Sequence, residues 1–298
     1  MNIEMQCQRG FMMKSMCGTF IKWIAIVSSV IVLSVIILLG SIWYISSDYK
    51  LYGVPVLNYH QVNDVNISPL TIPVQVFKEQ MDYLHRNGYH TITLDELYDY
   101  IVHDAPLPDK PVVITFDDGY IDNYEHAMPI LKSYNMKATL FMISDAVNTP
   151  RFVSIEQMKM MESNNFTIEG HTNHHHILTH VGSQNWEDEI SGGKRSLEGL
   201  VGKKISYLAY PGGFNNGGIQ AITKNSGYKM AFTVEPGTVK PGQNLYALPR
   251  IPIFENDTTY ISFLMRLHCA PFVAVTWQWR DDLLRNGHIT LAELVPLF

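Results

Sequence analysis

Two stretches of the sequence carry side chains whose types and spacing can do chemistry. In "PVVITFDDGY" (111–120) a run of apolar and β-branched residues ends on adjacent carboxylates, Asp117 and Asp118, followed by Gly119. Neighbouring negative charges repel, and burying either one unpaired is expensive, so something must compensate them. In "GHTNHHHILTH" (170–180) five of the chain's twelve histidines cluster, with His171 and His175 four apart and His176 and His180 likewise. Imidazoles four apart on a helical turn point the same way, a common device for holding a divalent ion. Two histidines and one carboxylate make three protein ligands and leave a position for water, the pattern of a catalytic rather than a structural metal. Such an ion would neutralise one aspartate by ligation and let the other stay ionised beside it. His174, His176 and His180 are read as solvent-facing or packing residues.

Strand ends are needed to present these groups. "VPVLNYH" (54–60), "PVVITF" (111–116), "KATLFMI" (137–143), "FTIEG" (166–170), "ISYLAY" (205–210), "YKMAFTV" (228–234) and "YALPRIPI" (246–253) read as strands. Amphipathic segments separate them. "VQVFKEQMDYLHRNG" (74–88) stops at Gly88, while "TLDELYDYI" (93–101) and "SIEQMKMMES" (154–163) open on capping boxes, Thr93 with Glu96 and Ser154 with Gln157. A further helix is expected at about 122–134, and one over 186–201 is weakened by Gly192-Gly193. Alternating strands and helices over some two hundred residues predict one α/β domain with parallel strands. Seven or eight strands suit a closed or nearly closed barrel, with an open doubly wound sheet as the alternative. In either, the active site lies at the C-terminal ends of the strands. Tyr59-His60, Asp117-Asp118, His171 and "YPGG" (210–213) all fall there, and Arg250 sits inside the last strand.

The 298 residues carry a net charge of -6 at a pI near 6.0 with no basic stripe, which excludes a nucleic-acid partner. From Trp23 to Ile45 there is no charged side chain. Such a helix spans about 34 Å at roughly 1.5 Å per residue, enough to cross a bilayer. Arg9, Lys14 and Lys22 precede it, so the positive-inside bias puts the N-terminus in the cytoplasm and the rest outside. A cleaved signal peptide is the alternative, but the apolar run is long and lacks a small-x-small cleavage site. The expected organisation is a cytoplasmic tail (1–22), an anchor (23–45), a polar linker (46–53), the α/β domain (54–268) and an extension (269–298). Cys7 and Cys17 lie on the cytoplasmic side and only Cys269 outside, so the outer domain is expected to hold no internal disulfide.

Taken together, the motifs resemble the polysaccharide deacetylases, the NodB homology domain or carbohydrate esterase family 4. The matching residues are "TFDDG" (115–119), "HTNHH" (171–175) as the family's H-[ST]-x-x-H, and "YPGG" (210–213) as its third motif, with weaker matches from about 53 to 268. The resemblance implies a distorted (β/α)7 barrel. It implies Asp118, His171 and His175 as ligands of a divalent metal, zinc first, with cobalt or nickel suiting the same donors. Asp117 would be the general base for the attacking water, and the backbone N–H of Gly212 an oxyanion donor. For the general acid that protonates the leaving amine, His60 is the first choice and His268 the alternative. The aspartate that often follows the latter is replaced by Cys269. The family's arginine before the third motif is missing, and Arg250 is the candidate to orient Asp117, against an ordinary surface ion pair. The implied activity is metal-dependent removal of N-acetyl groups from N-acetylglucosamine in poly-N-acetylglucosamine or peptidoglycan, outside the membrane. Its rivals are an O-acetyl esterase and a catalytically inactive, membrane-anchored glycan-binding module.

Overall fold

Seven of the apolar runs become strands that pair parallel with one another, in a computed structural model that describes residues 2–255 and 259–295. The side chains of 2–21, 45–47, 49 and 51 lie outside the description, and with them the readings that rest on Arg9, Lys14, Cys7 and Cys17. The chain divides into two units, 1–46 and 47–298. The first is helix α1 (Asn2–Ser47), whose stretch Lys22–Tyr44 is apolar and long enough to cross a membrane. Within the segment expected as a polar linker, a short helix α2 (Tyr49–Tyr52) ends on a buried tyrosine.

In the second unit, β1 (Val54–Tyr59) is followed by the two-residue strands β2 (Gln61–Val62) and β3 (Thr71–Ile72), α3 (Val74–Arg86), β4 (His90–Thr91) and α4 (Leu94–His103). Next come β5 (Pro111–Phe116), α5 (Met128–Ser133), β6 (Ala138–Met142), α6 (Ile155–Glu162), β7 (Phe166–Gly170), α7 (Gly193–Val201) and β8 (Tyr207–Ala209). The chain then forms α8 (Gly217–Asn225), β9 (Met230–Pro236), β10 (Thr238–Val239), β11 (Leu248–Pro252), α9 (Thr259–Arg285) and α10 (Ile289–Glu293). Strand order β1-β11-β9-β8-β7-β6-β5 closes on itself because β5 also pairs with β1, from Val56↔Val113 to Tyr59↔Phe116. The result is a closed (β/α)7 barrel, as expected. The open doubly wound alternative is excluded by that β1–β5 ladder.

Side chains along a strand alternate between its two faces, and the core divides accordingly. Val113, Phe141, Phe232 and Leu248 join one cluster, with Leu94 and Leu97 of α4. Ile114, Phe116, Leu140 and Leu208 join another, with Phe77 of α3, Leu131 of α5, Met161 of α6 and Phe263 of α9. The first set fills the barrel and the second packs it against its helices. By the same period of two, Asp117 continues the inward face of Val113 and Thr115.

Both predicted capping boxes form, Thr93 with Glu96 and Ser154 with Gln157. The segment weakened by Gly192-Gly193 is helical after all, as a π-turn over Asp188–Gly192 that runs into α7. The boundary drawn at 268/269 falls inside α9, which kinks at Cys269 and contains Pro271. Proline has no N–H to give the carbonyl four residues back. That carbonyl, Leu267, accepts instead from the Tyr52 hydroxyl at 2.8 Å, and Tyr52 Oη accepts from the Ala270 N–H at 2.8 Å. One buried tyrosine thus bridges the gap that proline opens in the helix.

Candidate active site

Hydrogen bonds between strand ends bring the polar groups to one rim. The Asp117 N–H donates to the Tyr59 carbonyl (2.9 Å), the His171 N–H to the Met142 carbonyl (2.9 Å), and the Tyr210 N–H to the Phe232 carbonyl (3.0 Å). His60, Asp117, Asp118, His171 and the 211–213 turn are therefore all set at the C-terminal end of the barrel.

The Asp118 Oδ1 atom lies 3.2 Å from His171 Nε2 and 3.1 Å from His175 Nε2. The three donors sit within 4.8 Å of one another. His171 Nδ1 is 2.7 Å from the Ala209 carbonyl, and a carbonyl can only accept, so this nitrogen carries the proton and a neutral ring leaves its lone pair on Nε2. Asp118 Oδ1 is buried and receives no hydrogen bond despite its two imidazole neighbours. A lone pair facing a carboxylate oxygen is repulsive unless a cation lies between them. A cation there would keep the buried carboxylate ionised, as metal ligation requires. The donor set fits a divalent metal.

The spacing of His171 and His175 works differently from the expectation. No helical turn carries the pair. His171 follows directly on β7, and the loop after it turns back through left-handed backbone at Thr172 (φ 63°) and His175 (φ 61°). Asp118 is left-handed as well, at φ 74°. For a β-branched threonine this region is a genuine outlier. The loop is held from outside: Ser144 donates to the Thr172 carbonyl through N–H (3.1 Å) and Oγ (3.3 Å), and its Oγ lies 2.7 Å from the Gly193 carbonyl. A Cβ on Gly193 would stand 2.7 Å from Asn173 N, so the glycine that weakened the helix prediction is what lets α7 approach this loop.

Asp117 is 2% exposed and Arg250 fully buried. Arg250 Nη1 donates to Asp117 Oδ1 at 2.7 Å and Nη2 to Oδ2 at 2.6 Å, a bidentate pair rather than a surface ion pair. Its Nε donates to the Thr233 carbonyl (2.8 Å), and Nη1 also reaches Thr115 Oγ1 (3.2 Å). A register shift between β11 and β9, where Leu248 pairs with Phe232 but Arg250 with Pro236, accompanies this contact. Burial alone would push the Asp117 carboxyl up; the Arg250 guanidinium outweighs it and holds the group below its ordinary value.

His60 is held through its carbonyl, which accepts from Asn123 Nδ2 at 2.7 Å, and its Nδ1 is buried without a hydrogen-bond partner. Burial lowers its pKa, with Asp117 and Asp118 pulling the other way. His268 is not brought to this rim. Its Nε2 lies 2.8 Å from the Tyr83 hydroxyl, and its pKa is lowered by burial and by Lys110, which immediately precedes β5. That is the opposite end of the strand from Asp117. Gly212 takes φ 62° in the turn that follows Ala209, the residue whose carbonyl orients His171.

Comparisons with known proteins bear on the family and the fold. A family model described as polysaccharide deacetylase matches residues 104–231. YxkH of Bacillus subtilis, by name a polysaccharide deacetylase, is 36% identical over 199 residues, spanning 67% of this chain and 71% of that one. The chain belongs to the polysaccharide deacetylase family. A poly-beta-1,6-N-acetyl-D-glucosamine N-deacetylase of Staphylococcus epidermidis is 29% identical over 230 residues, covering 67% of this chain and 78% of that one. The solved structure of the Streptococcus pyogenes deacetylase PplD in complex with acetate superposes with a TM-score of 0.68 at 26% identity, covering 72% of this chain and 98% of that one. As a polysaccharide deacetylase the chain is a hydrolase of N-acetyl amide bonds. Sequence reasoning missed the residues that hold its site together: Ser144, Gly193 and Asn123. Only the Gly192-Gly193 pair left a signal, and it was read as a weakness in a helix.

Proposed function

We propose that this chain removes N-acetyl groups from N-acetylglucosamine residues of an exported poly-N-acetylglucosamine-type polysaccharide. The 54–268 region would act on the extracytoplasmic side of a membrane that α1 crosses, with 1–22 inside and 269–298 as an extension on the outer side. The observation that carries the reading is the convergence of Asp118 Oδ1, His171 Nε2 and His175 Nε2 beside the buried Asp117–Arg250 pair. The likeness to the Staphylococcus epidermidis enzyme favours this glycan over peptidoglycan.

Asp118, His171 and His175 would hold the ion, zinc first by the preference of two imidazoles and a carboxylate, with cobalt or nickel suiting the same set. When bound, the ion supplies Lewis acidity that polarises the acetyl carbonyl and acidifies water. Asp117 accepts the proton of the attacking water. Arg250 holds that carboxylate ionised and fixes both of its oxygens, leaving the base with one orientation. The Gly212 N–H donates to the oxyanion, a contribution of about 3–4 kcal/mol for a well-placed donor. His60, beside both aspartates, gives its proton to the leaving amine, which is far too basic to depart as an anion. The products are acetate and a free amine that is protonated at neutral pH, so the polymer becomes cationic.

Mass spectrometry of acetate loss tests the reading on β-1,6-linked N-acetylglucosamine oligomers, chitopentaose, peptidoglycan fragments and acetylated xylan. The expected result is fastest loss from the β-1,6-linked oligomers, abolished by chelator and restored by zinc. Chelator-resistant turnover, or release from acetylated xylan alone, would overturn it.

A further inference from the structure

Outside the cluster just described, one other group of metal-ligating side chains converges among the described residues. His174 Nδ1 lies 2.9 Å and His176 Nδ1 2.7 Å from a single oxygen, Glu189 Oε1, and the three donor atoms fall within 4.8 Å of one another. We propose that His174, His176 and Glu189 form a second divalent-cation site, which clamps the loop carrying His175.

The carboxylate is prearranged for such a role. Its side chain is 2% exposed, it sits on the π-turn that leads into α7, and its other oxygen accepts the His174 backbone N–H at 3.0 Å. That bond fixes which oxygen faces the rings, as contacts outside a metal's own ligands usually do. The imidazole side chains are 41% and 55% exposed, so water can complete the coordination. Hydrogen bonds from two Nδ1–H groups account for the distances without an ion. An ion would take the same two nitrogens as their neutral lone pairs, with each proton moved to Nε2. Tetrahedral zinc–nitrogen bonds of about 2.0–2.1 Å place neighbouring donors about 3.3 Å apart, so the half-exposed rings need shift by only about 0.5 Å. Two imidazoles and a carboxylate select a zinc-type ion over magnesium or calcium.

The ligands flank His175 in sequence, and Glu189 belongs to another element. An ion here would tie both sides of the left-handed residue to the turn before α7. This site is independent of the catalytic reading, since it shares no ligand with the Asp118 cluster.

The full chain, solubilised in detergent, stripped by chelator and dialysed against zinc, is assayed for bound metal by mass spectrometry. Two ions per chain are expected for the wild type and one for His176→Asn, whose amide nitrogen can still donate to Glu189 but offers no imidazole lone pair. Wild type saturating at one ion, or His176→Asn retaining two, would overturn the proposal. Should His176→Asn retain none, the double variant Asp118→Ala, His171→Ala decides: one ion bound there upholds the second site, and none removes it. Thermal melting followed by circular dichroism verifies that each variant is folded.

Discussion

Replacing Arg250 by methionine keeps much of the side chain's length and removes its charge. Asp117 is then left buried at 2% exposure with no cation, where the wild type gives it two hydrogen bonds of 2.7 and 2.6 Å. Breaking a buried pair on one side costs about 3–5 kcal/mol. The same loss appears in the titration. In the wild type the folded pKa of Asp117 lies below its unfolded value, so the pair's stabilisation is present at neutral pH and fades as pH falls through the folded value. In Arg250→Met burial acts without its largest counterweight, and losing an adjacent opposite charge raises a carboxyl pKa by about 1–3. Stability should then fall as pH rises past the unfolded value, the reverse slope, by about 1.4 kcal/mol for each tenfold gain in proton affinity. Urea unfolding at pH 5 and pH 8 measures the stability arm, and the acid limb of acetate release against pH measures the catalytic one. That limb should move up by about the same 1–3 on the pH axis, since it reports the base. The double variant Asp117→Asn, Arg250→Met should recover most of the lost stability, because it buries no charge. A loss below about 1 kcal/mol, or a uniform fall in rate with the acid limb unmoved, would refute the role given to this pair.

Three further outcomes follow from the same geometry. His60→Ala should slow amide cleavage by about 100-fold or more while leaving cleavage of an activated acetyl ester much less affected, and equal losses would remove His60 as the acid. Glu169 is buried on β7, and burial pushes its carboxyl from 4.5 up to about 7 against the N–H groups of Tyr207 and Ser206. The folded state therefore holds the proton more tightly, so stability drops as pH rises between those values. Glu169→Gln should abolish that drop and melt higher than wild type at pH 8, whereas an offset equal at pH 5 and pH 8 would refute it. Gly193→Ala should lower both melting temperature and zinc retention, because its Cβ meets backbone at 2.7 Å. Gly199→Ala on the same helix, with nothing within 4 Å, should instead stabilise by up to about 1 kcal/mol, and matching responses would refute the contact argument.

The barrel was legible because its strands are short apolar runs bounded by helix caps, and because both capping boxes are written in adjacent residues. The meeting of Asp118 with His171 was legible too, since each closely follows a strand and parallel strands end together, whereas His175 arrives through a left-handed loop rather than the helical turn its spacing suggested. What the sequence hid is mostly tertiary. Nothing local tells that Tyr52 completes the ladder of α9 at Pro271, more than two hundred residues away. The Gly192-Gly193 pair was weighed by helix propensity, although its value lies in the backbone it allows to approach. His174 and His176, read as solvent-facing or packing, are half-exposed as that reading allows, yet both meet Glu189 across a turn whose position no spacing rule predicts.

The placement of the strain shows how the site is kept ready. Left-handed backbone at Asp118, Thr172 and His175 costs about 1–3 kcal/mol per residue, and it persists only where the surroundings over-determine it. Here the restraints come from outside the strained residues. The Ile143 N–H faces the Asp118 carbonyl at 3.4 Å, Ser144 donates twice to the Thr172 carbonyl, and Glu189 accepts the His174 N–H. Gly193 packs its bare Cα against the same peptide. Ile143 and Ser144 continue β6, one of the barrel strands, while Glu189 and Gly193 belong to the turn and helix that cover it. The His175 N–H closes the loop on itself through Thr172 Oγ1 at 3.2 Å. The donors are thus arranged by contacts that need no ion, which is the condition for an ion's binding energy to go into its chemistry rather than into folding its own site.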